Sequence, residues 1–118
     1  QKKFVKKGIS FVGITGLDLK ELNYLKEKKL VDNNTVLVSH VPPDGFQDKI
    51  HLGIHGGSKD IKKFIDETKP KLVLAGHIHE DPGFSKYENT IIVNCSLGKK
   101  GQGALIDIKE DINVKMLE

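Results

Sequence analysis

The sequence predicts an α/β fold in which one mixed β-sheet is flanked by helices. Three observations carry that expectation. Short β-branched runs such as "ISFVGI" and "TVLVS" are separated by segments of helical period, the first of which spaces Leu19, Leu22 and Leu25 three apart. Strand-like and helix-like segments alternate early in the chain, whereas strand-like runs follow one another late in it, so parallel strands should be joined by antiparallel ones. Finally, 118 residues are enough for one core, because a chain of this size hides roughly two-thirds of its unfolded surface. A single domain over residues 1–118 is therefore expected.

In order, "ISFVGITG" (9–16) reads as a strand. Asp18 and Glu21 then resemble a capping box, and the leucine spacing carries a helix to about Lys29. "NNTVLVSHVPPDG" (33–45) combines a turn, a short buried strand and a stop at Pro42 and Pro43, which cannot donate to a central ladder. Residues 44–57 lack a period and hold four glycines, so they form a loop. Ser58 caps a second helix with Ile61, Phe64, Ile65 and Thr68 on one face, and Pro70 ends it near Thr68. "KLVLAG" is the next strand, followed by the turn "HEDPG". "TIIVN", "GALIDI" and "INVKML" complete the order, the last two as a hairpin across "KED" and all three on the antiparallel side of the sheet.

Composition narrows the function. The hydrophobic fraction is 37% and the charged fraction 30%, and no apolar run approaches a membrane span of about 18 residues. The basic start "QKKFVKKG" lacks the long apolar stretch and cleavage pattern of a signal peptide. One cysteine, Cys95, excludes an internal disulfide and fits a reducing, cytoplasmic setting. All 19 basic residues are lysine. Without the bidentate guanidinium, specific nucleic-acid recognition is disfavoured. Cys95 is no phosphatase nucleophile, since its sixth following residue is Gly101 rather than an arginine. "LGKKGQG" lacks the spacing of a phosphate loop and reads as a turn between strands.

The chemistry concentrates in the histidines. In open α/β sheets ligands collect outside the carboxyl ends of the strands. His40 and His77 stand at two such ends, and His79 follows one residue later, with Gly76 expected to bend the backbone between strand and turn. Imidazoles ligate zinc, manganese and iron, so the three are candidate metal ligands. A mononuclear site, with three histidines and a water on zinc, is chemically possible from these alone, although their order in the sequence fits a two-metal pattern better. His51 and His55 are four apart, but Gly53, Gly56 and Gly57 argue against the helix that such a metal pair requires. His55 is instead expected to face a substrate from the glycine-rich loop.

Taken together, "VLVSHVPPDG", "IHGGSKDIKKFIDETKP", "LVLAGHIHE" and "IIVNCSLGKKGQGALIDI" resemble the C-terminal half of a calcineurin-like metallophosphoesterase. The likeness runs from about Ile9 to Ile108 and is strongest to the small bacterial and archaeal types. It implies an α/β/β/α sandwich and a hydrolase whose two divalent ions (manganese, iron or zinc) activate a water against a phosphate mono- or diester. It also implies that His40 and His77 ligate one ion and His79 its neighbour, while Glu80, Asp44 and Asp81 serve as turn or supporting residues.

The family's Asp-x-His, Gly-Asp-x-x-Asp and Gly-Asn-His-Asp/Glu motifs do not occur. Three neutral imidazoles cannot offset the mutual repulsion of two divalent ions without such carboxylates. With Gln1 rather than methionine at the start, the expectation is a C-terminal portion whose metal set is incomplete and which alone is inactive. No catalytic residue is assigned within this chain; the resemblance implies that the leaving-group acid is a histidine of an N-terminal half expected to be missing. That half, or a second copy in a homo-oligomer, would cover an apolar face and an open sheet edge. A phosphorylated small molecule or nucleotide is the expected substrate, and no membrane partner is expected. The competing expectation is a non-catalytic scaffold or binding protein that keeps the phosphoesterase fold.

Overall fold

The computed structural model describes residues 2–15, 18–96 and 103–117. Among these residues eight strands and two α-helices follow in the order β1 (Lys2–Lys6), β2 (Ile9–Ile14), α1 (Leu19–Glu27), β3 (Thr35–Ser39), α2 (Lys59–Thr68), β4 (Leu72–Ala75), β5 (Gly83–Tyr87), β6 (Thr90–Asn94), β7 (Ala104–Ile108) and β8 (Ile112–Met116). Strands β1 to β6 form one mixed sheet in the order β1-β2-β3-β4-β6-β5, and β7 and β8 form a second, two-stranded sheet. Strands β2, β3, β4 and β6 are mutually parallel, flanked by antiparallel β1 and β5.

The fold class is as expected, and the strand arrangement corrects its details. "TIIVN" is parallel to β4 rather than antiparallel, and its antiparallel neighbour is β5, "GFSKY". Both unanticipated strands, β1 and β5, lie at sheet edges. Edge strands need not alternate cleanly, and lysines there oppose pairing with other chains, so "KKFVK" reads as a basic tail in isolation. A tight turn joins β1 to β2 through Lys7 and Gly8, both at positive φ (53° and 80°), the conformation that matches hairpin twist.

Helix α1 starts as its cap predicts, with the Asp18 side chain accepting from the Lys20 amide at 2.9 Å. Glu21 reaches back beyond the cap, and its Oε1 accepts from Thr15 N at 2.9 Å, tying the helix to the end of β2. The helix closes two residues before the expected end, where Lys29 turns left-handed and the Leu30 amide donates to Leu25 O. Ser58 Oγ caps α2 by accepting from Ile61 N at 3.1 Å, and left-handed Lys69 ahead of Pro70 ends it.

Two apolar layers enclose the main sheet. On one face Val12, Leu37, Val73 and Ile92 pack against Leu22, Leu25, Ile61, Phe64 and Ile65 of the helices. On the other, Val36, Leu72 and Val93 lie beneath the inward residues of the β7–β8 hairpin, among them Ile106, Val114 and Met116. The layer order is α/β/β. Alternation in both hairpin strands sends Asp107, Asn113 and Lys115 outward with Leu105. Beyond the hairpin, Val38 and Phe84 on the same face of the main sheet are 43% and 49% exposed. Among the described residues no helix is long and apolar enough to cross a membrane.

Candidate active site

Because β2, β3, β4 and β6 are parallel, their carboxyl ends share one edge of the sheet. His40 directly follows β3 and His77 lies two residues past β4. Their ring centroids are 4.7 Å apart with the planes tilted by 45°, and both side chains are exposed. The Gly76 amide donates to His40 O at 3.3 Å, extending the β3–β4 pairing to the residues that carry the two rings.

The bend after β4 falls on His77, not on Gly76. The Ile78 amide donates to Gly76 O at 2.7 Å, closing a three-residue turn with His77 at φ 67° at its centre. Such γ-turns are rare and strained, unlike the left-handed helix ends at Lys29 and Lys69, and backbone strain clusters at functional sites. Ile78 anchors the turn, being 5% exposed, while His79 and Glu80 continue into the next turn at the surface.

A buried side chain absent from the sequence-based candidates holds this turn. Asn94, the last residue of β6, is fully buried. Its Nδ2 donates to Ile78 O at 2.7 Å, Asp81 O at 2.9 Å and Gln47 O at 3.1 Å. Its Oδ1 accepts from Ser96 N, a group that can only donate, and from Ser96 Oγ. One amide thus ties the histidine turn, the chain leading to β5 and the 44–57 loop to the end of β6. The signal in the sequence is a polar residue closing the apolar run "TIIVN", where burial demands partners.

The 44–57 loop is ordered in the same manner. Asp48, also fully buried, accepts from Gly45 N (2.9 Å) and Gly57 N (3.1 Å) through Oδ2, and meets His55 Nδ1 at 2.7 Å through Oδ1. Gly57 passes so near the Pro42–Pro43 backbone that a Cβ there would lie 2.6 Å from Pro43 O. A Cβ at Gly56 would lie 3.3 Å from Ile78 Cδ1, which brings the His55–Gly57 segment against the histidine turn. Gln47 Nε2 donates to Asp81 O and the Lys49 amide to Asp81 Oδ2, closing the loop over the β4–β5 connection. Asp44 and Asp81 lie in these loops, Asp44 donating its amide to Ser58 O. A single 3₁₀ turn spans His51–Gly53, with Leu52 at positive φ, and no α-helix joins His51 to His55.

The titration of His55 is displaced. The hydrogen bond to Asp48, followed by the charge of the same carboxylate, raises its pKa above the ordinary value; Asp44 adds to this and Lys49 opposes it.

His40 and His77 fit as two imidazole ligands of one ion, being adjacent, exposed and fixed by strand ends. Among the described residues no group of three or more His, Cys, Asp or Glu side chains gathers to complete a coordination shell. His79 stands beyond the anchored Ile78, and Asp81 is engaged with the Lys49 amide. The "LGKKGQG" segment, which follows Ser96 at this edge, lies outside the described residues up to Gly103.

Comparison with known proteins gives this edge its context. The family model of the calcineurin superfamily of metallophosphoesterases matches residues 15–117. The chain belongs to that superfamily. An uncharacterized protein of Methanocaldococcus jannaschii, MJ1162, is 39% identical over 105 residues, covering 75% of this chain and 48% of that protein. A UPF0046 protein of Caenorhabditis elegans, K07C11.7, is 28% identical over 103 residues, covering 80% of this chain and 35% of its own length. Among solved structures, one crystal structure superposes with a TM-score of 0.76 at 21% identity, over 99% of this chain and 52% of its own. The protein TT1561 of Thermus thermophilus does so with a TM-score of 0.60 at 17% identity, over 97% of this chain and 56% of its own. The likeness of these structures concerns the fold. This metallophosphoesterase chain spans about half the length of the solved structures and a third to a half of the two protein relatives.

Proposed function

We propose that this chain forms part of a metal-dependent phosphoesterase that hydrolyses phosphate mono- or diesters of small molecules or nucleotides. The observation that carries the reading is the His40–His77 pair at the carboxyl ends of parallel strands β3 and β4 in a chain of this superfamily. Divalent ions, when bound, supply Lewis acidity and an activated water for in-line displacement at phosphorus. His40 and His77 hold one ion and His79 its neighbour, while the bridging carboxylates come from outside these 118 residues. The positive φ at His77 and the Asn94 anchor fix the backbone that carries the His77 ring before any ion arrives, which lowers the ordering cost of binding. His55 contacts the substrate from the facing loop.

The test is metal content by mass spectrometry on the full-length protein after reconstitution with manganese, alongside hydrolysis of p-nitrophenyl phosphate and bis(p-nitrophenyl) phosphate. Two ions per chain with turnover of either ester are expected, and His77→Ala should lose one ion while staying folded. Undiminished metal in that variant removes His77 from the ligand set. A full-length protein that takes up no metal and turns over neither ester is a scaffold with the phosphoesterase fold.

A further inference from the structure

We propose that Asp48 is a positioning residue that locks His55 with Nδ1–H on the buried carboxylate and presents Nε2–H outward as an anion-binding donor for non-reacting phosphate oxygens of the substrate. The choice of phosphate as the anion rests on the phosphoesterase reading.

Four features support this assignment. The carboxylate is rigid, since Asp48 is fully buried and its other oxygen accepts from Gly45 N and Gly57 N. With Nδ1 engaged at 2.7 Å and the side chain 45% exposed, the second ring nitrogen remains available to a solvent-borne ligand. The segment carrying the ring is wedged between the Pro42–Pro43 backbone, just after His40, and Ile78, between His77 and His79. Lastly, the chain has no arginine, and in the 40–58 and 76–82 loops the basic residues besides the three candidate ligands are Lys49, His51 and His55. A cation placed by a fixed carboxylate gives these loops a charge-assisted donor suited to phosphate oxygens.

A surface histidine that merely closes the loop would not couple anion affinity to its protonation, and this separates the two roles. Asp48 and Asp44 favour the imidazolium and Lys49 disfavours it, so the donor should persist above the ordinary histidine range. Long-range ¹⁵N spectra of the histidine rings in the full-length protein, recorded with inorganic phosphate at about pH 6 and about pH 8, read the assignment directly. Phosphate should move the His55 Nε2 resonance. His55→Gln should weaken phosphate binding by about tenfold at the lower pH, as expected for loss of one charge-assisted hydrogen bond, and much less at the higher pH. Asp48→Asn should shift the titration of His55, and with it the fall in phosphate affinity, to lower pH.

Comparing variants with wild type at each pH cancels the titration of phosphate itself. If Asp48→Asn does not fold, His55→Gln, at an exposed position, still tests the anion contact. An unmoved His55 resonance, or phosphate affinities of His55→Gln and wild type that coincide at both pH values, overturns the proposal. Binding is read without turnover, so absence of ester hydrolysis in the wild type would count against the phosphoesterase reading and leave this result standing. Where turnover is present, His55→Gln should raise KM with kcat largely kept.

Discussion

Replacing Asn94 by aspartate changes one donor into an acceptor at the point where three segments meet. The Asn94 Nδ2 faces the carbonyl oxygens of Ile78, Asp81 and Gln47 at 2.7, 2.9 and 3.1 Å. An ionised carboxylate cannot stay buried against three carbonyls, so the variant folds with its carboxyl protonated and able to make one of the lost bonds. Protonating a carboxyl of ordinary pKa near 3.9 costs about 4 kcal/mol at pH 7, at about 1.4 kcal/mol per pH unit. Losing the second donated bond adds about 1 kcal/mol. The carboxyl's folded pKa is raised above its unfolded value, so the ionisation cost is absent below about pH 4 and grows as pH rises. Asn94→Asp should therefore destabilise by about 4–5 kcal/mol near pH 7 and about 1 kcal/mol near pH 4. Urea unfolding of wild type and variant, followed by circular dichroism at both pH values, measures this difference. A penalty that does not vary with pH, or one below about 1 kcal/mol at neutral pH, would show that Asn94 is not the anchor of the histidine turn.

The same geometry makes further predictions. Gly57→Ala places a Cβ 2.6 Å from Pro43 O and 2.7 Å from Pro42 O, both backbone atoms, and should cost about 2–4 kcal/mol in urea unfolding. Gly76→Ala, whose Cβ meets only Ser96 Oγ at 3.7 Å, should cost less than about 1 kcal/mol; equal effects would contradict the close-approach argument. His77→Gly relieves the positive φ and should be at least as stable as wild type while binding less metal, so a clear loss of stability would place the role of His77 in packing. Folded His55 has a raised pKa, so its contact with Asp48 stabilises fully below about pH 6.5 and fades as pH rises through the folded value. The difference in thermal midpoint between wild type and His55→Gln should accordingly shrink between about pH 6 and about pH 8.5, and a constant difference would refute the ion pair.

Elements with strong local signals are legible in the sequence. The leucine period and Asp18 specify α1, Ser58 and Pro70 bracket α2, and the short apolar runs, most of them rich in β-branched residues, specify β2, β3, β4 and β6. Strands β1 and β5 are not, because an edge strand is stabilised by the ladder it joins rather than by its own composition. The parallel direction of β6 was equally hidden, since it follows from where β5 lies in the sheet.

At the site, sequence alone determined that His40 and His77 follow buried strands and that the family's carboxylate motifs do not occur in these 118 residues. Only the tertiary structure decided how those rings are held. It placed the bend on His77, made Asn94 the anchor of the turn and buried Asp48 beneath His55. Strand propensity and apolar period are local properties, written within a few residues of one another. A buried polar side chain takes its meaning from partners such as Gln47, 47 residues away from Asn94 along the chain, and no local pattern reports which carbonyl it will meet.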